Sequence, residues 1–171
     1  YTLGRCMTVY SRSIRRDERM RRRDTVDALR DVLRDTLEAV QLLDSQPGGV
    51  REELYWVTYN ASILAMRVAR FLRLKGFAGV VAVPALWWLA EAMATYLPLR
   101  VLHMLPLRLR FLLELVACAE SGQLLHEAAR ACDFALKQIE EARELEAMVD
   151  PMPEETSKLL ATMSIRFQML K

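Results

Sequence analysis

The sequence predicts an all-α fold of stacked antiparallel helical hairpins, a tetratricopeptide-like α-solenoid segment. Three observations carry this. Apolar residues recur at spacings of three and four along most of the 171 residues. No stretch alternates apolar and polar residues, and no Asn-Gly or Asp-Gly pair marks a β-hairpin. Two helix–turn–helix units follow each other, with Gly76 and Gly122 at their turns, 46 residues apart. That period exceeds a tetratricopeptide unit and is nearer the roughly 40–47 residues of other two-helix repeats. Each hairpin would bury its flank on the next. A lone four-helix bundle is the competing arrangement.

Residues 1–16 read as the end of a helix with Met7, Tyr10 and Ile14 on one face. An arginine run over 19–23 follows, and Asp24 is a good N-cap. Val26, Leu29, Leu33, Leu37, Val40 and Leu43 then line an amphipathic helix that Pro47-Gly48-Gly49 ends. Residues 1–49 are thus N-terminal helices with a basic stretch and a Pro-Gly-Gly linker.

Residues 50–150 hold the two hairpins. The first helix opens with Glu52 and Glu53 and carries Leu54, Val57, Ala61, Leu64, Val68 and Phe71 on one face. Tyr55, Trp56, Tyr59 and Ile63 widen its apolar surface past half the circumference, so it must touch neighbours on two sides. Lys75 and Gly76 close it with a basic last turn and a left-handed cap. A helix over 77–96 follows, with Pro84 tolerated if the helix proper starts near Val83. Trp87 and Trp88 point in different directions there. The next helix covers about 106–120 and stops at Ser121-Gly122; another runs from Gln123 to about Val149. Leu125, Ala128, Cys132, Ala135, Ile139 and Ala142 form its small-residue seam. Asp150-Pro151-Met152-Pro153 stops it, and residues 151–171 start a further helix with Phe167, Met169 and Leu170 near its end. With Tyr1 at the start and a helix cut at Lys171, the expectation is a piece of a longer chain.

Composition excludes several classes. Hydrophobic residues make up 53% and charged residues 27%, too apolar for intrinsic disorder. A net charge of +2 gives no global field for nucleic acid. The charge is uneven: the arginine-rich segment 1–23 is basic, and 137–155, with seven acids against Lys137 and Arg143, is acidic. No secretory signal is visible. Cys6, Cys118 and Cys132 lack metal-binding spacing, and the last two read as buried small hydrophobes in a reducing compartment. The uncharged run Phe77 to Ala90 is short of the roughly 20 residues that cross a bilayer, so no membrane span is expected.

No chemistry emerges. His103 has no carboxylate or Cys within four residues, and His126 sits beside Glu127, where i and i+1 side chains do not converge. No ExxH or HxxxH pair occurs, Gly48-Gly49 lies in no phosphate-binding pattern, and Glu140-Glu141 reads as solvated charge. The expectation is no enzyme, no cofactor and no metal.

Candidate interaction residues are the aromatics Tyr55, Trp56, Trp87 and Trp88 and the arginines Arg19, Arg21, Arg22 and Arg23. Large aromatics dominate interface energetics, though each of the four also suits an internal core. The arginines suit an acidic protein surface, such as microtubule-bound proteins or tubulin tails, or a solvated linker. Leu99 to Val116 has the look of a basic amphipathic calmodulin target, but Pro106 breaks it and a core helix fits better.

From Tyr59 the residues take on a family look. Tyr59-Asn60-Ala61-Ser62, Arg70-Phe71-Leu72, Pro98-Leu99, Leu105-Pro106 with Arg108, Glu127-Ala128-Ala129-Arg130-Ala131, Gln138-Ile139 and Glu144-Leu145-Glu146 together resemble the helical N-terminal region of the cilia- and flagella-associated protein 54 family. The resemblance spans roughly 59–148. It implies a structural scaffold in a central-pair projection of the axoneme of motile cilia, supporting assembly and beating. It also implies other central-apparatus proteins as partners, with calmodulin a candidate, and no nucleic acid or membrane. Without that resemblance the residues fit a generic cytoplasmic helical-repeat adaptor.

Overall fold

The computed structural model describes residues 2–16, 22–47, 50, 53–96, 104–147 and 154–171. Among them every element is a helix: α1 (Thr2–Arg16), α2 (Arg22–Asp44), α3 (Tyr55–Leu74), α4 (Ala78–Tyr96), α5 (Leu105–Ser121), α6 (Leu125–Ala147) and α7 (Glu154–Leu170). Successive helices pack against each other, α1 on α2, α3 on α4 and α5 on α6. Alternate helices also touch: α1 with α3, α3 with α5, α5 with α7, and α2 with α4. The chain is therefore a two-layer stack, with α1, α3, α5 and α7 in one layer and α2, α4 and α6 in the other. A four-helix bundle around one axis has no such ladder of contacts, and α1–α2 joins the stack as a hairpin in its own right.

The repeat is legible in the turns. Gly76 has φ +80°, its N–H donates to Arg73 O at 3.1 Å, and the Phe77 N–H reaches back to Leu72 O at 2.9 Å. That is a Schellman closure, which needs a left-handed residue. The second turn repeats it with Gln123 at φ +58°, Gln123 N–H to Glu120 O at 2.9 Å and Leu124 N–H to Ala119 O at 2.8 Å. Gln123 is thus the partner of Gly76, so the register is 47 residues and α6 starts after Gln123 rather than at it. Burial follows the same register: Ala61, Leu64, Ala65, Val68 and Leu72 recur as Arg108, Phe111, Leu112, Leu115 and Ala119.

Gly122 has another task. It lies against Gly79, the second residue of α4. A Cβ on Gly122 would stand 2.4 Å from the Gly79 Cα, and one on Gly79 would stand 2.7 Å from the Gly122 Cα. Backbone meets backbone where the two turns stack, which only glycine permits.

The other layer repeats as well. Val26, Leu29, Leu33, Thr36 and Val40 of α2 have the burial pattern of Gly79, Ala82, Leu86, Leu89 and Met93 of α4. The pattern returns in α6 as Ala128, Ala131, Ala135, Gln138 and Ala142. The small residues of α6 bring it close to α5, as the seam predicted, but Leu125 lies outside that seam and is exposed.

Some boundaries and faces differ from expectation. Asp24 lies in the first turn of α2 and not at its cap; a carboxylate there still meets the positive pole of the helix. α1 buries Cys6 while Met7 is exposed, because α1 packs on α2 and α3 through the Cys6–Tyr10 edge. Pro84 sits inside α4, which starts at Ala78. The carbonyl that loses its donor there belongs to Val80, a residue that is exposed. α4 is also the one helix among the described residues that is long and apolar enough to cross a membrane, over Ala78–Thr95, and half of that window is buried against its neighbours.

Candidate protein-interaction surface

The predicted aromatics separate into two pairs. Tyr55 and Trp56 begin α3 and stay accessible, Trp56 with half of its surface exposed. Trp87 and Trp88 are partly buried on α4, packed against the core. Trp87 meets the ring of Phe134 on α6 edge-on, with centroids 5.9 Å apart and planes at 66°. The Arg130 guanidinium lies 4.8 Å over its face, a cation–π contact. Trp87 thus ties hairpin to hairpin. Arg22 and Arg23 open α2, and Arg19, Arg21 and His103 lie outside the described residues.

Two polar clusters sit inside the stack. Glu114 of α5 is buried among apolar residues and accepts from Arg70 Nε at 2.7 Å and Arg73 Nε at 3.2 Å, both from α3. A buried carboxylate is costly without such partners. The Cys118 thiol lies 3.9 Å from Glu114 Oε1 and 3.9 Å from the Ala69 carbonyl. Burial, and then the Glu114 carboxylate, push this thiol up to about 12. Such a thiol is inert as a nucleophile at neutral pH. Burial also raises Cys6 and Cys132, and all three cysteines are free.

The second cluster joins α5 to α6. Arg108 is buried and donates to Gln138 Oε1, and Gln138 Nε2 donates to Glu141 Oε2 at 3.0 Å. Burial lowers Arg108 to about 10 and Glu141 works in the opposite direction, so the guanidinium is charged at neutral pH. A cavity of about 10 Å³ beside Arg108 and Gln138 is the size of a single water. Of the segment Leu99 to Val116, residues 99–103 lie outside the described residues; in the rest Leu105, Leu109, Phe111, Leu112, Leu115 and Val116 are core and Leu107 and Leu113 are partly buried, the pattern of a core helix.

On α6 the His126 Nδ1 stands 3.8 Å from Glu127 Oε1, closer than i and i+1 neighbours were expected to come; the His126 side chain is exposed, while Glu127 is partly buried and also paired with Arg130. Among the described residues no group of three or more His, Cys, Asp or Glu is placed to hold a metal ion.

One surface escaped sequence reasoning. The stacked turns around Gly79 and Gly122 carry Leu74, Phe77, Val80, Leu124 and Leu125 outward. Val80 is 86% exposed, Leu74 79% and Leu125 71%. Two apolar residues flanking each turn were the available signal, but Phe77 and Val80 were read only as part of a helix and Leu125 as part of a buried seam. These exposed apolar side chains all lie at or beside the two turns.

A family model described as Cilia- and flagella-associated protein 54 matches residues 2–170, from the first helix to the last. No curated protein and no solved structure matches the chain.

Proposed function

The chain belongs to the cilia- and flagella-associated protein 54 family, which associates it with cilia and flagella, and from that premise we propose that it is an axonemal scaffold module. Its place is a projection of the central-pair apparatus, where it supports assembly and motility through protein–protein contacts. The family match over almost the whole chain carries this reading. The fold supports it, because repeated hairpins in register present a long continuous surface of the kind that repeat proteins use for binding. Shape and exposed side chains do the work, rather than bond chemistry. The proposed contact edge is the apolar one at the turns, Leu74, Val80 and Leu125. The proposed partners are other central-apparatus proteins. Calmodulin, if bound, uses a surface other than residues 104–116.

The test is retention in axonemes. A tagged chain expressed in cells with motile cilia should co-sediment with demembranated axonemes and resist salt extraction. Leu74→Glu with Val80→Glu should release it while its helical circular dichroism is kept. A chain found wholly in the detergent-soluble fraction would overturn the axonemal reading and favour a cytoplasmic adaptor.

A further inference from the structure

The outward face of α3 is not absorbed by the stack. Its exposed and half-exposed residues Trp56, Asn60, Ile63, Arg67, Arg70 and Leu74 follow each other at steps of three and four. They form one stripe along the helix, about 27 Å long at 1.5 Å per residue. The first half carries Trp56 and Ile63 with Asn60 between them, and the second half carries Arg67 and Arg70 before ending on the exposed Leu74. α3 contains no carboxylate at all. The acid that serves its arginines, Glu114, reaches them from beneath and is itself buried, so it holds Arg70 in place while 57% of that side chain remains exposed. Beside the stripe the Tyr10 hydroxyl of α1 donates to the Arg67 carbonyl at 3.4 Å. α1 adds the exposed Arg5 and Arg12, and α5 adds the exposed Arg110.

We propose that this face docks an acidic polypeptide segment of a partner protein, one that carries an aromatic or aliphatic anchor for the Trp56 end. Charge selects the occupant. α1 holds four arginines and α3 three, with no Asp or Glu in either. The opposite layer has the reverse sign: α6 has six carboxylates against three basic residues, α2 six against four, and α4 has Glu91 alone. Packed helices lie roughly 8–10 Å apart, about one Debye length at physiological salt. The negative layer therefore weakens the field that a long polyanion would meet, whereas a short acidic segment stays over the arginines. Nucleic acid is disfavoured on this ground, and the apolar half of the stripe suits a side-chain anchor. The inference rests on the α3 face and not on the axonemal assignment, so it stands or falls separately.

The experiment uses the 171-residue chain and a fluorescein-labelled peptide of Glu and Asp around a central Phe, long enough to cover the stripe. Anisotropy reports binding, and the part of the change in tryptophan emission that disappears in Trp56→Ala reports its site. Binding should weaken about tenfold between low and physiological salt. Arg67→Glu should weaken it roughly fivefold or more, since that side chain is exposed. Trp56→Ala should weaken it with every charge intact. Arg143→Glu, on α6, should leave it unchanged. Absence of binding, equal affinity in Arg67→Glu, an equal loss in Arg143→Glu, or no effect of Trp56→Ala would each overturn the proposal. An oligothymidylate of matched charge that binds as tightly as the peptide would overturn it in favour of nucleic acid.

Discussion

Gly79 and Gly122 show what a single hydrogen in place of a methyl can decide. Each would drive a Cβ into the other's backbone, at 2.7 Å and 2.4 Å, and no side chain is there to move aside. Gly122→Ala should therefore cost about 1–3 kcal/mol of stability, as overpacking does, and Gly79→Ala a similar amount. Urea denaturation of each variant and of the pair checks this. Because both substitutions press on one contact, the double variant should lose less than the sum of the singles. Cys118 carries a second prediction. Its folded pKa of about 12 lies above its ordinary 9.0, so the thiol binds its proton more tightly when folded. The stability this gives is fully present below about pH 9 and is lost as pH rises towards 12. Stability measured from about pH 8 to pH 11 should fall, and Cys118→Ala should flatten part of that slope at the expense of a lower plateau. Alkylation of the native chain near pH 8 should be slow at all three cysteines and fast in urea.

At the scale of the element, α4 is the helix with two readings. Its composition suits a bilayer, and its packing is that of a core helix against α2, α3 and α5. Leu86 and Leu89 are wholly buried between those helices. Leu86→Ala should destabilise the chain by about 2–5 kcal/mol in detergent-free buffer, the cost of a cavity in a packed core. An unchanged urea midpoint would mean that Leu86 faces something other than protein. The helices themselves were legible from spacing, since Leu29, Leu33, Val40, Ala61, Leu64 and Val68 are all core. Their ends were less so. Gln123 in a left-handed turn and Pro84 inside a helix both go against local propensity, and the first is a conformation that glycine usually takes. The inner partnership of Glu114 with Arg70 and Arg73 was also hidden, since it joins residues more than forty positions apart, and spacing along one helix carries no sign of it.

Over the whole molecule the fold class could be read from periodicity and turn residues, while the surfaces that meet partners could not. A stripe such as Trp56–Leu74 looks in sequence like a helix that is apolar on two sides, and only the stack shows which side is left over. The same holds for the charge. A net of +2 conceals a layer of α1 and α3 with arginine and no acid, set against a layer rich in carboxylates, because alternate helices go to alternate layers. The glycine contact has a mechanical corollary. Where two turns touch through bare peptide units, the distance between neighbouring hairpins is set by van der Waals contact of two backbones, with no side chain between them to give. Flexing of the array must then pivot at that edge, so the far ends of the helices, where Trp56 lies, sweep the widest arc when the array bends.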